Sequence, residues 1–245
     1  MYVYSTDAKS LHSEYRITED DLAEFQGTHL MLPPGSYRIV LWGNVEEQSR
    51  VNTEWGSAYI AEPGHFSKEG IYYGTDPLYF NTIDIYVPET LQDVEETCLF
   101  EGAHIKMKIK LIGFSDGIDA ETGEPVKVGL AHTGCPEMTD FAKVPSEERC
   151  DVTPEMTVDP DDPDAYLLEY NIFRFDENDE LNKLVIRYED GREIYTTDVA
   201  AFLEKYDIQI EGRHEITIPV KITHSPVGVT VVNWGKEDVD PGFEQ

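Results

Sequence analysis

Ala103-His104-Ile105-Lys106-Met107-Lys108-Ile109-Lys110-Leu111-Ile112 decides the fold class of this chain. Ile105, Met107, Ile109 and Leu111 fall on one phase of the stretch, and His104, Lys106, Lys108 and Lys110 on the other. Successive side chains of a strand point to opposite faces, so strict alternation predicts one buried and one wet face, as in an antiparallel sandwich sheet. The lysine stripe reads as charge balance on a solvated face. A docking strip for an acidic partner is the sharper alternative.

The same period recurs on both sides. Thr82 to Val87 alternates and ends at Pro88, and Val126 to Leu130 predicts a further strand. His214 to Thr223 places Ile216, Ile218, Val220 and Ile222 on one face, and Pro219 on the other phase predicts an open edge there. Leu181 to Tyr188, the turn Glu189-Asp190-Gly191 and Arg192 to Tyr195 form a hairpin by turn chemistry. Val199, Phe202, Leu203 and Tyr206 repeat at helical spacing behind Thr197 and Asp198, either of which can cap, which predicts a capped helix over 198–206. Val227 to Trp234 reads as the closing strand and Lys236 to Gln245 as a polar tail.

Near the N-terminus, Tyr2-Val3-Tyr4 is a short strand, Thr18 to Phe25 a small helix with a capping box, and His29 to Leu32 a strand. Pro33-Pro34-Gly35 is a turn, and Ser36 to Trp42 returns from it. Residues 45–80 read as long loops. The order strand, helix, strand, strand, Trp-Gly occurs once before Trp42-Gly43 and again before Trp234-Gly235. This predicts two similar β-rich domains with the tryptophans in equivalent places. The proline-rich acidic stretch 146–164, ending in Asp159-Pro160-Asp161-Asp162-Pro163-Asp164, reads as the junction between domains at 1–145 and 165–245.

Charge narrows the function. With 49 acidic and 19 basic side chains the formal charge is -30, which argues against nucleic acid and against an anionic membrane surface as partners. Tyrosine, phenylalanine and tryptophan make up 11% of the residues, enough for folded cores. Of three cysteines, Cys135 and Cys150 lie near enough in sequence for one local bridge; three free thiols is the favoured reading. Histidines 12, 29, 65, 104, 132, 214 and 224 lack metal-ligand spacing, and no nucleophile elbow, phosphate loop or dinucleotide fingerprint is present. The expectation is therefore no catalytic, cofactor-binding or metal residues, no cofactor, and no enzyme. Two acidic loops, Asp159 to Asp164 and Asp176 to Glu180, offer oxygen ligands without the spacing of a calcium loop, and read as solvated turns.

Leu32-Pro33-Pro34-Gly35-Ser36-Tyr37-Arg38-Ile39-Val40-Leu41-Trp42-Gly43 resembles a signature segment of the FimB-like fimbrial anchor family of Bacteroidota. Tyr2 to Asp7 resembles that family's opening strand, with Ser5 and Ala8 departing from it. Ala103 to Leu111 and Val229 to Trp234 sit where the family carries similar strands. The resemblance implies an all-β protein with short helices, built as two tandem transthyretin-like, Greek-key β-sandwich domains. It also implies a cell-surface fimbrial anchor or minor subunit of the outer membrane that exchanges β-strands with other fimbrial subunits.

Met1 is followed at once by a strand, which reads as a trimmed or misjudged start. The family resemblance implies membrane attachment through a lipidated cysteine upstream of this chain. An opening strand without its neighbour would leave the first sandwich open and the second closed. The alternatives are a surface adhesin that binds a glycan or host protein through the aromatic loops between Trp55 and Tyr79, and a hydrolase with dispersed carboxylates.

Overall fold

The computed structural model describes residues 1–18, 20, 27–62, 65, 72–90, 92–119, 121–212 and 214–235. The helix expected over Thr18 to Phe25 and the tail Lys236 to Gln245 lie almost wholly outside them. Within them the chain is mostly β-sheet, with one helix whose bounds are defined.

The alternation of the 103–112 stretch is realised residue by residue. Strand β8 (His104–Ile112) pairs antiparallel with β15 (Asp162–Phe173) and parallel with β18 (Ile216–Ser225). The register aligns the apolar positions into rungs: Ile172–Ile105–Ile216, Tyr170–Met107–Ile218, Leu168–Ile109–Val220 and Tyr166–Leu111–Ile222. Cross-strand neighbours on one face are the unit of sheet stabilisation, and here they form a continuous apolar plate. Ile105, Met107, Ile109 and Leu111 are all 0% exposed. The sheet is completed by β14 (Thr157–Asp159) beside β15 and by β19 (Gly228–Asn233) beside β18.

Facing this plate is a four-stranded sheet in the order β13 (Arg149–Val152), β11 (Val128–Pro136), β16 (Lys183–Tyr188), β17 (Glu193–Asp198). Leu130, Leu184 and Ile186 from it meet Ile109, Leu168 and Val220 in one core. Helix α1 (Val199–Tyr206) adds Val199, Phe202 and Leu203 to that core. Asp198 caps it by accepting from Ala201 N–H, and Asp207 ends it in a left-handed conformation, φ 51° and ψ 49°. A two-stranded ribbon, β9 (Gly117–Ile118) and β10 (Pro125–Val126), lies beside this sandwich in sequence.

The first sandwich has the sheet order β2 (Ser10–Glu14), β1 (Tyr2–Ser5), β3 (Gly35–Gly43), β6 (Tyr79–Val87), β7 (Glu101–Gly102). Its partner sheet is β12 (Met138–Asp140), β5 (Tyr59–Ala61), β4 (Arg50–Asn52). The core between them is aromatic: Trp42 and Phe80 lie 4.6 Å apart, and Tyr4 and Trp55 5.7 Å apart. Ala103, immediately before β8, and Phe173, the last residue of β15, complete this core.

Several expectations are corrected by this topology. Sheet membership cuts across the divisions 1–145, 146–164 and 165–245. β8, expected in the first unit, is the centre of the second sandwich's main sheet, and β12 returns to the first sandwich. Alternation fixes which face of a strand is buried but carries no information about its partner. The acidic stretch 146–164 is not a linker, for it contains β13 and β14 and turns tightly into β15. Asp159 accepts from Asp161 N–H at 3.0 Å and is neutralised by Lys110 at 2.7 Å, so this acidic run fixes a hairpin.

His29 to Leu32 forms no strand. Leu30 and Leu32 pack instead on Val3, Tyr37 and Ile39 at the outer face of the first sheet. Residues 45–80 are not loop throughout, since they contain β4 and β5. The two tryptophans are not equivalent. Trp42 lies on an interior strand and is 8% exposed, whereas Trp234 follows an edge strand and is 40% exposed. Gly235 is glycine for a local reason: a Cβ there would lie 2.8 Å from the Pro219 ring. Pro219 does not mark an open edge, because β18 is flanked by β8 and β19. Its carbonyl accepts from Trp234 N–H, so its nitrogen faces β19 where that ladder ends, and the pairing with β8 is not interrupted.

Candidate functional site

Edges, grooves and charge clusters are what the fold offers. The lysine stripe is matched within the chain: Lys106 and Lys108 reach Glu169 on β15 at 2.8 and 3.1 Å, and Lys110 reaches Asp159. Those lysines hold the Glu169 carboxyl below its ordinary range through hydrogen bonds and charge. The stripe is charge balance across neighbouring strands, the plainer of its two readings. The second acidic loop is also internally satisfied. Asp176 accepts from Asn178 N–H, and Asp179 accepts from Leu181 N–H and pairs with Arg149 at 2.8 Å. Of the aromatic loop residues, Trp55 packs inward on Tyr4, and Tyr59 stands edge-on to His65.

The opening strand β1 is paired on both sides, by β2 and β3, so the expected missing neighbour is not beside it. A different gap occurs in the second sandwich, which was expected to be closed. Among the described residues its two sheets end on one side at β17 and β19, each with a partner on one side only. Between them lies a groove of about 490 Å³, lined by Tyr195, Phe202, Val229 and Val231 among others. Helix α1 spans the gap: Tyr206 Oη donates to Val231 O at 3.1 Å and Lys205 Nζ at 3.4 Å. Because Trp234 N–H points inward to Pro219, the even positions of β19 face β18. Val229, Val231 and Asn233 therefore turn their backbone groups outward.

A third feature sits where the two sandwiches meet. Glu137 lies between the end of β11 and the start of β12. The register that pairs Ala61 with Met138 sets Glu62 opposite it, and the register that pairs Pro136 with Arg149 sets Glu148 opposite it on the other side. Glu137 N–H donates to Glu148 O at 3.1 Å. His65 Nδ1 lies 2.8 Å from Glu137 Oε1, and its Nε2 3.2 Å from Tyr59 Oη. Glu62 is 3% exposed, and among the described residues its Oε1 has no hydrogen-bond partner. Burial, then the Glu137 charge, pushes its carboxyl up to about 8, against a smaller opposing effect of the Cys150 thiol, which hydrogen-bonds to it. Burial and these carboxylates push the Cys150 thiol up in turn. Sequence spacing did not reveal this group, because its members stand at 62, 65, 137 and 148.

Cys135 and Cys150 are direct cross-strand partners and both are free thiols, in line with the favoured reading. Among the described residues no helix is long and apolar enough to cross a membrane.

Taken together, the fold defines a class: a β protein of paired sheets that presents strand edges and a groove between them. Solved structures of this class resemble the chain closely in outline. A candidate polysaccharide-binding protein of Bacteroides thetaiotaomicron superposes with a TM-score of 0.66 at 12% identity, over 95% of this chain and 87% of that one. A candidate adhesin of the same organism gives 0.64 at 15% identity, with the same coverage. The fimbrial anchor protein Mfa2 of Porphyromonas gingivalis gives 0.63 at 13% identity, again over 95% and 87%. At these identities the likeness establishes the fold alone. No curated protein matches the sequence. The family is established by sequence: the chain belongs to the family described as fimbrillin-A associated anchor proteins Mfa1 and Mfa2, whose model matches residues 1–240. The resemblance carried by Leu32 to Gly43 pointed to fimbrial anchors of this kind.

Proposed function

We propose that this chain is a non-enzymatic anchor or minor subunit of a fimbrium, held at the bacterial outer membrane surface by an upstream lipid anchor, and that it joins a neighbouring subunit by β-strand addition along β19. The observation that carries the mechanism is the composition of that edge. Gly228-Val229-Thr230-Val231-Val232-Asn233 bears no charge, in a chain of which 28% is charged. Proteins that keep an edge from pairing place charges or prolines on it; β19 has neither. Its outward N–H groups at Val229 and Val231 offer a ladder, which an incoming strand completes by displacing Tyr206 and Lys205 from Val231 O. The groove toward β17 offers Tyr195, Phe202 and Val229 to that strand's alternate side chains. Family membership supports other fimbrial subunits as the source of that strand.

Val231→Pro tests this. The substitution removes an outward N–H and leaves the ladder to β18 intact. Co-purification of the native lipoprotein with its fimbrial subunits should be lost in the variant, while its far-UV circular dichroism and thermal midpoint stay near those of the parent. Undiminished co-purification would eliminate strand addition at this edge. The glycan-binding alternative has less support on this chain, since Trp55 and Tyr59 are engaged internally. Selective retention on a glycan array would reinstate it.

A further inference from the structure

We propose that His65, Glu137 and Glu148 form a site for one divalent first-row transition ion at the seam between the two sandwiches, with Glu62 buried beside it. One ligand atom from each of His65, Glu137 and Glu148 can be chosen so that all three lie within 4.8 Å of one another, near enough for small side-chain shifts to bring them onto a shared ion. A group of acidic residues alone would be unremarkable in so acidic a chain. The second observation is Glu62. Its carboxyl group is buried at the next rung beyond Ala61–Met138, opposite Glu137, and one of its oxygens has no hydrogen-bond partner among the described residues. Buried polar atoms are nearly always satisfied, and a cation held by Glu137 is a partner of the right charge for that oxygen.

The donor set selects the kind of ion. Calcium and magnesium take oxygen ligands, whereas an imidazole nitrogen beside carboxylates suits zinc or manganese. Access is open, since Glu148 is exposed and His65 and Glu137 are half-buried.

The placement gives the ion a structural task. Glu62 closes the short strand β5 of the first sandwich, Glu148 precedes β13 of the second, and Glu137 is the residue at which the chain passes from one to the other. Close to the same seam, Tyr72 bridges Val152, and Thr153 N–H donates to Tyr72 O at 2.6 Å. A bound ion would tie these segments together and stiffen the joint between the sandwiches. This inference does not depend on the fimbrial reading or on strand addition.

The experiment is calorimetric titration of the full chain, stripped with a chelator, using zinc and manganese chlorides with calcium and magnesium as comparators. The expected result is one ion per chain, with a thermal midpoint that rises with metal concentration because only the folded state assembles the site. His65→Ala and Glu148→Gln should each weaken binding by at least about ten-fold, since even changes behind a metal's ligands cost that much. Should His65→Ala fail to fold, Glu148→Gln at its exposed position carries the test. Absence of a stoichiometric zinc or manganese site, unchanged affinity in the folded variants, or tighter binding of calcium than of either transition ion would each overturn the proposal.

Discussion

The two sandwiches are built from different materials. The second stacks aliphatic residues rung upon rung across β15, β8 and β18 and closes them with a four-stranded sheet and a capped helix. The first relies on aromatic rings under a partner sheet whose strands are three residues long, and it borrows Ala103 and Phe173 from segments that belong to the second. Gly74 permits the close approach this requires: it adopts φ 121°, and a Cβ would lie 2.5 Å from Asn171 O on β15. Near that point Thr75 N–H donates to the same carbonyl at 2.8 Å. The difference implies an order of dependence. The second sandwich can stand on its own core, while the first is assembled on the ends of β8 and β15.

Ile109→Ala should break the comparison hardest. It opens a hole at the centre of the aliphatic plate and should cost about 2–5 kcal/mol. Because β8 also supports the first core, denaturant titration should show loss of both sandwiches together. Trp42→Ala should cost about 3–5 kcal/mol of the first sandwich's stability, yet leave strand signal from the second at denaturant concentrations where the first has unfolded. A single shared transition in the Trp42 variant would refute the claimed independence of the second sandwich.

Acid should act on the second sandwich through His132. Its ring is fully buried, with Nδ1 3.0 Å from Tyr170 Oη, and burial lowers its pKa to about 4, opposed by a smaller effect of Asn182. The native state keeps this ring neutral while the unfolded chain protonates near the ordinary histidine value. The contribution is therefore complete above about pH 6.5 and is lost as pH falls toward 4, on the order of 3 kcal/mol in all. His132→Gln should flatten this part of the stability–pH curve. A curve of unchanged steepness in the variant would assign the acid sensitivity elsewhere. The smallest effect belongs to Lys108→Ala, which removes one half-exposed partner of Glu169 and should cost under about 0.5 kcal/mol. A loss approaching that of Ile109→Ala would mean that the faces of β8 had been assigned the wrong way round.

What could be read from the sequence followed the same division. The second sandwich's strands 104–112, 216–225 and 183–198 and its helix announce themselves by alternation, turn residues and helical spacing, which are local. The parallel pairing of β8 with β18 joins residues more than one hundred positions apart and leaves no local mark. The proline and aspartate run at 159–164 misled because its charges look unpaired in sequence, while Lys110 meets one of them in space. The first sandwich was harder to read, since aromatic packing and loop cover replace periodicity there. Nor was the seam cluster visible, since Glu62 and Glu148 become neighbours of Glu137 only once both registers are known. The edge at β19 was legible as a strand, but not as an edge.

Hydrogen exchange of the chain alone and in complex with its neighbouring fimbrial subunit tests the central claim most directly. Strand addition along β19 predicts new protection at the outward amides of Val229 and Val231, while Thr230 and Val232, already bonded to β18, change little. Protection elsewhere with 228–233 unaltered would contradict it.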